Sequence, residues 1–315
     1  MAARPNTRDM RAMTDISASM PGAVPDAPPA ARRGLRVPLH WLGVAPFFIF
    51  ALMFLILPTA YLIVGAFQND DGHFTLTNLT ELNTPSIRRA YLISIKVSLA
   101  SALLGGLVGV ALAIAIVRGG LPNWIRSATL TFSGVASNFA GVPLAFAFIS
   151  TLGRVGLMTV LLNVWFGINI YSLGFNLLSF WGLTLTYLYF QIPLMVLIIV
   201  PAIDGLKKEW SEAASTLGAT QAQYWRMVAI PVLWPSFLGT LLLLFANAFG
   251  AIATAYALTG SQLNIVPILL YAQIHGDVLH NPHLGYALAF GMILITGVAN
   301  VFYIWFRTRS ERWLK

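Results

Sequence analysis

The chain has 315 residues, of which 57% are hydrophobic and 10% are charged, it contains no cysteine, and its formal net charge is +8. Soluble domains carry about 25% charged residues, so this composition excludes a water-soluble fold and indicates a protein folded in a lipid bilayer; the lack of cysteine excludes disulfides and thiolate metal sites. A charge of +8 would suggest nucleic-acid binding in a soluble protein, but the basic loops that orient membrane helices account for it here, and we expect no nucleic-acid partner.

The first 38 residues differ in composition from the rest of the chain, being rich in alanine, proline and arginine and lacking an apolar run. A signal peptide needs an apolar core close to its start, and this segment has none. We therefore predict a disordered cytoplasmic tail over 1–38. The alternative is a tail that binds anionic lipid headgroups through Arg32, Arg33 and Arg36.

Six uncharged runs are long enough to cross a hydrocarbon core about 30 Å thick, which requires about 20 helical residues. The runs lie at 41–67, 97–117, 127–150, 177–202, 232–258 and 284–306. They predict an all-α membrane protein with six transmembrane helices in a domain spanning 39–307, followed by a cytoplasmic tail at 308–315.

The segment 155–176 is also uncharged, but it contains several glycines and asparagines, which make a poor lipid-facing helix. With six spans and a cytoplasmic N-terminus, 15 of the 19 basic residues lie inside, as the positive-inside rule requires. A seventh span would move Lys207, Lys208 and Arg226 outside. We therefore expect both termini to be cytoplasmic and 155–176 to be an external helix or a shallow re-entrant segment.

The predicted spans contain no acidic, basic or histidine side chain, and Lys96 lies at the outer end of the second span. Buried ionisable groups are typical of ion-coupled transporters, so their absence disfavours an ion-driven secondary transporter. A secondary transporter nevertheless stays open as the alternative function from a different class of protein. Neutral polar side chains remain, and Asn138, Gln191 and Asn247 are candidates for lining a translocation path. Each could equally form a hydrogen bond between helices.

Small residues recur every four positions on the second span, at Ser101, Gly105, Gly109 and Ala113. Such a face lets two helices approach closely. The partner helix could belong to this chain or to a second subunit.

The loop before the last span contains His275, Asp277, His280 and His283, with a spacing that has some resemblance to a metal site. Its glycines, asparagine and proline favour an ordinary external loop, so we predict no metal. The sequence contains no phosphate-binding glycine loop followed by lysine, no zinc-protease motif and no serine-hydrolase motif. We therefore predict that the protein is not an enzyme and has no cofactor.

The loop over 204–231 separates the fourth and fifth spans. Residues 209–217 favour a short helix, and Gly218 is placed to end it in the left-handed conformation. Thr220 can cap a second helix over 221–230, and Pro231 then begins the next span. A bilayer does not explain a charged helical loop of this length, which indicates contact with a partner in water, although an interfacial amphipathic loop remains open.

The loop combines a glutamate followed by two alanines, a glycine, and two β-branched aliphatic residues before a proline: Glu212, Ala213, Ala214, Gly218, Val228, Ile230 and Pro231. The spacing of these residues resembles the EAA motif of permeases of ATP-binding-cassette (ABC) importers. The motif usually has leucine where this chain has Ile230. The resemblance extends over 40–315 in span pattern and is nearest to the spermidine/putrescine type, whose relatives also serve phosphonates, opines and ferric iron.

This resemblance implies a type I, MetI-like transmembrane domain in the bacterial inner membrane. The implied partners are a cytoplasmic ATPase dimer, a second and non-identical permease subunit, a periplasmic solute-binding protein and membrane lipid. Glu212 would pair with a basic group on the ATPase, Ala213, Ala214 and Leu217 would fill its groove, and Gly218 would permit the turn. The implied solute is a polyamine or a related small polar molecule; a phosphonate, an opine or ferric iron stays open.

Overall fold

The structure is a computed structural model that describes residues 40–69, 71–275 and 281–311. The predicted tail at 1–38 and the last four residues of the predicted C-terminal tail lie outside these ranges. Within them the chain is mostly helical, and its β-structure is one isolated bridge between Gln68 and Phe74. The prediction of an all-α fold is confirmed.

The described residues form fourteen α-helices and two π-helical turns. The helices are α1 (His40–Ala51), α2 (Leu57–Gly65), α3 (Thr77–Glu81), α4 (Pro85–Arg118), α5 (Asn123–Asn138), α6 (Val142–Leu152), α7 (Leu157–Phe166), α8 (Phe180–Asp204), α9 (Lys208–Thr216), α10 (Gln221–Tyr224), α11 (Ile230–Phe249), α12 (Ile252–Thr259), α13 (Val266–His275) and α14 (Pro282–Glu311). The π-helical turns are Leu52–Ile56 and Trp225–Ala229. The chain divides into a small N-terminal unit ending at Leu52, which contains α1, and a second unit that contains all the other helices.

Six helical stretches are long and apolar enough to cross a membrane, which confirms the predicted number. They are Gly43–Gly65, Pro85–Arg118, Val142–Phe166, Phe180–Asp204, Gln221–Phe249 and Pro282–Phe306. Four of them match a predicted span or contain it, whereas Gln221–Phe249 begins and ends earlier in the chain than the predicted 232–258. The predicted bounds of the third span, 127–150, are wrong, and the candidate there includes part of the segment 155–176 that we expected to be an external helix or a shallow re-entrant segment.

The third predicted span fails as a single helix because the chain breaks at 139–141, between α5 and α6. Gly141 has φ +76°, which a right-handed helix does not accommodate, and Pro143 follows in the first turn of α6. The candidate Val142–Phe166 is itself α6 and α7, separated by a non-helical connection at Gly153–Gly156. The predicted fifth span is likewise interrupted, since α11 ends at Phe249 and α12 begins at Ile252.

Helices α4 and α8 pack along each other at the centre of the second unit. The small-residue face of α4 makes this possible, because a Cβ atom at Gly105 would lie 2.7 Å from Gln191 Cβ, and one at Gly109 would lie 2.6 Å from Met195 Cβ. Real Cβ atoms do not approach so closely. The small residues therefore serve packing within this chain.

The breaks at the ends of α5 and α11 lie next to each other, and side chains satisfy the backbone groups that they free. The Gly141 N–H donates to Thr254 Oγ1 of α12 at 2.7 Å. The Tyr187 hydroxyl of α8 donates to the Ala251 carbonyl at 2.8 Å. Lipid offers no hydrogen bonds, so these side-chain contacts allow the helices to be broken inside a bilayer.

Candidate coupling site

The loop between α8 and α11, residues 204–231, is called the coupling loop below. Helix α9 ends in a Schellman motif: the Ala219 N–H donates to the Ala214 carbonyl at 2.9 Å, and the Gly218 N–H donates to the Ser215 carbonyl at 3.0 Å. Gly218 has φ +78°, the left-handed conformation predicted from the sequence. A glycine is therefore required at the point where the chain reverses out of α9.

The second half of the loop begins with a capping box. Thr220 Oγ1 accepts from the Gln223 N–H at 3.3 Å, and Gln223 Oε1 accepts from the Thr220 N–H at 2.7 Å. The helix that we predicted over 221–230 starts here as expected, but it does not stop before the fifth span. It continues through the π-helical turn Trp225–Ala229 into α11. The second half of the coupling loop and the fifth span are thus one helical unit.

The outward surface of the coupling loop is exposed, and it carries an apolar patch among polar and charged side chains. Leu217 is 87% exposed, although it is a large aliphatic side chain, and Glu212, Ala213 and Gly218 are exposed with it. Beside Leu217 lies an open groove of about 440 Å³. Its lining residues are Trp210, Ala213, Ala214, Leu217, Val228 and Val232. Apolar surface displayed next to a charged side chain is typical of a protein–protein interface.

The inward surface of the coupling loop packs against the ends of α4 and α8. Tyr224 is 4% exposed and joins a buried cluster that contains Ile203 and Leu206, with Trp210 and Trp225 packed on its edge. The Tyr224 hydroxyl is buried without a hydrogen-bond partner among the described residues. The loop is therefore attached to the bundle by side-chain packing as well as by the chain.

Two arginines that we had used only to assign topology contact the start of the coupling loop. Arg118 Nη2 donates to the Leu206 carbonyl at 3.1 Å, and Arg126 Nη2 lies 2.5 Å from Asp204 Oδ2. No local sequence pattern indicates these contacts, because 78 to 88 positions separate the partners.

The three candidate path residues occupy different environments. Gln191 is fully buried, and its Nε2 donates to the Leu244 carbonyl at 2.9 Å, which is a contact between α8 and α11. Asn138 and Asn247 are exposed, and each lies three residues before a glycine at a helix break, Gly141 and Gly250. The arrangement favours a packing role for Gln191 and leaves the two asparagines open to a solute.

The histidines before α14 do not form a described metal site. His275 stacks on Tyr271, and His283 Nδ1 lies 3.3 Å from the Gly65 carbonyl oxygen. Asp277 and His280 lie outside the described residues. Within 40–69, 71–275 and 281–311, no three side chains of the metal-binding types come together.

Comparison with known proteins places these features in a family. Residues 156–315 match the family described as binding-protein-dependent transport system inner membrane component. The chain is 26% identical over 231 residues to a probable sulfate transport system permease protein of Nephroselmis olivacea, covering 72% of this chain and 76% of that one. It is 24% identical over 229 residues to the spermidine/putrescine transport system permease protein PotC of Escherichia coli strain K12, covering 70% and 78%.

The fold also has a counterpart among solved structures. A chain of a bacterial ABC transporter involved in the import of the acidic polysaccharide alginate superposes with a TM-score of 0.66 at 19% identity, covering 87% of this chain and 95% of that chain. The relatives are transport permeases and not enzymes, as predicted. The match over 156–315 includes the whole coupling loop. The chain therefore belongs to the family of binding-protein-dependent transport system inner membrane components, the ABC permease family that the EAA spacing indicated.

Proposed function

We propose that the coupling loop is the docking site of a separate cytoplasmic ATPase, and that this permease carries a small polar solute inward through the bacterial inner membrane. The observation that supports this most directly is Leu217, at the C-terminal end of α9, which is 87% exposed beside an open apolar groove. The chain has no phosphate-binding loop of its own, so ATP must act through a partner.

The residues of the docking surface have separable roles in this proposal. The side chains of Ala213 and Ala214 are small, so a partner can approach the backbone of α9 closely. Leu217 would enter an apolar pocket of the ATPase, where full burial of a leucine contributes about 2 kcal/mol. Glu212 would pair with a basic group at the rim, an exposed ion pair that contributes about 1 kcal/mol or less. Ile230 and Pro231 are exposed at the start of α11 and would border the same contact.

Closure of two ATPase subunits would pull the coupling loops of two permeases together. The inward packing of the loop on Ile203 and Leu206 gives this displacement a route to α8. Because packed helices move as rigid bodies, the expected result is alternation between inward-facing and outward-facing paths. A periplasmic binding protein would deliver the solute to the outward-facing path.

A second permease subunit is needed to enclose the proposed path. Asn138 and Asn247 are exposed on this chain. Asn138 Nδ2 donates to the Gly134 carbonyl at 2.9 Å, but lipid cannot hydrogen-bond the amide oxygen of either side chain. A second, non-identical permease facing them would close the path and keep the amides in water. Co-expression with each neighbouring permease gene and purification of the complex would show whether the pair is mixed or identical.

For the solute we propose a polyamine, supported by the similarity to the spermidine/putrescine permease. The sulfate permease relative supports an oxyanion as the second candidate. The predicted spans contain no carboxylate that would hold a polyamine and no cation that would hold an oxyanion, so the binding protein would dominate the choice. Uptake of labelled putrescine and labelled sulfate by cells with the complete importer separates the two, and uptake of sulfate alone would reject the polyamine.

The docking site is tested by introducing a bulky charge on the small face of α9. Ala213→Arg should reduce co-purification of the ATPase at least tenfold, because a buried unpaired charge costs several kcal/mol. Asn83→Arg is the matched control, since Asn83 is exposed and lies on the loop before α4 at the opposite end of that helix. Equal recovery of the ATPase with both variants would exclude the coupling loop as the docking site.

A further inference from the structure

Two arginines connect the region that links α4 and α5 to the end of α8, just where the coupling loop begins. Arg118 is the last residue of α4, and its Nη2 donates to the carbonyl oxygens of Leu206 at 3.1 Å and Ile203 at 3.5 Å. Arg126, in the first turn of α5, pairs with Asp204, the last residue of α8, at 2.5 Å between Nη2 and Oδ2. Both contacts join one helix pair to the base of the coupling loop.

The Arg118 contact fixes the backbone where the chain leaves α8. The Ile203 carbonyl, in the last turn of α8, already accepts from the Leu206 N–H at 3.2 Å, so the shorter contact of Arg118 is with the Leu206 carbonyl, two residues beyond the helix. Leu206 is 2% exposed and belongs to the buried cluster on which the coupling loop packs. The rigid, planar guanidinium of Arg118 therefore binds the backbone carbonyl of Leu206, and the side chain of Leu206 is packed in that cluster.

The stability of the individual helices does not explain the Arg126–Asp204 pair. A cation is unfavourable in the first turn of a helix and an anion is unfavourable in the last turn, because of the helix dipole. Arg126 and Asp204 occupy these two disfavoured positions. Their side chains are 37% and 39% exposed, so the pair adds little to the stability of the fold. The pairing is better explained by a need to hold α5 against α8.

We propose that Arg118 and the Arg126–Asp204 pair are positioning residues that make α4 and α5 move together with the coupling loop. The inference rests on the proposed docking of the ATPase on that loop. The loop is continuous in the chain with α8 and α11, whereas α4 and α5 only pack against α8 and the loop. The apolar packing keeps these helices together, and the polar contacts fix the positions of α4 and α5 relative to the end of α8. Without the polar contacts, the same ATP-driven displacement of the loop would move α4 and α5 less far, and ATP would be hydrolysed with less solute imported.

The test measures solute imported per ATP hydrolysed, with the complete importer reconstituted in proteoliposomes. Arg118→Gln should lower this ratio roughly fivefold, because it removes a charged hydrogen-bond donor, while the amount of ATPase that co-purifies stays unchanged. Arg118→Lys keeps the charge without the planar fork and should give an intermediate ratio. Arg88→Gln, an exposed arginine in the first turn of α4, is the control for loss of one positive charge.

The ion pair allows a rescue experiment that a purely structural role would not pass. Arg126→Asp and Asp204→Arg should each lower the import ratio, since each places two like charges together. The double variant restores opposite charges and gives both helix ends the sign that their dipoles favour, so its ratio should return to within about twofold of wild type.

Normal import ratios for Arg118→Gln and for both single ion-pair variants would overturn the proposal. Failure of the double variant to recover would also overturn it for the ion pair. If Arg118→Gln does not accumulate in the membrane, the three variants of the ion pair decide the question. Co-purification of the ATPase with the wild-type permease is measured before any import ratio. If the ATPase does not co-purify, the result counts against the proposed docking site itself.

Discussion

The left-handed turn at Gly218 offers the most direct measurement of how much the shape of the coupling loop matters. Gly218 has φ +78°, and a Cβ atom built there would meet no atom within 4 Å. A side chain at this position is therefore strained by the backbone alone, at about 1–2 kcal/mol. A cost of this size corresponds to a roughly 5- to 30-fold loss of the correctly shaped loop.

This geometry predicts the order of a substitution series at one position. Gly218→Ala and Gly218→Leu should cost the same within the permease, because the space around the Cβ is open. Gly218→Asn should cost less, since asparagine tolerates positive φ better than other residues with a side chain. Any further loss with leucine relative to alanine then reports the space that the docked ATPase leaves at the turn.

The assay is titration of the purified permease variants with the ATPase, alongside uptake in cells. Alanine should weaken binding up to about 30-fold by lowering the fraction of binding-competent loop, while abundance in the membrane stays near wild type. Glu212→Ala should weaken binding only mildly, because a partly exposed ion pair contributes about 1 kcal/mol or less. Wild-type affinity and uptake for both the alanine and the leucine variant would refute the reasoning.

Three further outcomes follow from single contacts. Tyr224→Phe should leave stability unchanged or raise it by about 1 kcal/mol in thermal unfolding, because the removed hydroxyl is buried and unpaired among the described residues, and a fall would reveal a partner. Gly109→Ala should lower the free energy of unfolding by about 1–3 kcal/mol, because the added methyl group overpacks against α8. Gly134→Ala is the control and should not destabilise the protein, because the space there is open and alanine favours the helix. Equal thermal stability of the two variants would contradict the close packing of α4 and α8. In this cysteine-free chain, Asn281→Cys, just before the last candidate span, should react with an impermeant thiol reagent in intact cells and Gln223→Cys should not, and the reverse pattern would show that the orientation is wrong.

Much of the architecture follows from local properties of the sequence. A helix must be about 20 apolar residues long to cross a bilayer, so composition alone sets the number of six spans. The coupling loop was equally accessible, because caps and turns depend on near neighbours: Gly218 ends α9 and Thr220 caps α10 as the sequence indicated. The EAA spacing then identified the family.

The bounds of the third span required the tertiary structure. Hydropathy cannot detect a break that keeps its apolar character, and Phe139 to Gly141 is as apolar as the helices on either side. Such a break survives in a bilayer only if its backbone groups find partners, and the partners of Gly141 and Ala251 are Thr254 and Tyr187, 64 to 113 positions away.

The roles of the polar and basic residues depended on the same distant contacts. Asn138 and Gln191 looked alike as uncharged amides within apolar runs, yet the fold exposes the first and buries the second against Leu244. Arg118 and Arg126 were counted as charges that set orientation, and the structure placed them on the base of the coupling loop. Composition and spacing report what a residue is and what its near neighbours are, whereas its partner across the bundle is decided by how the helices pack.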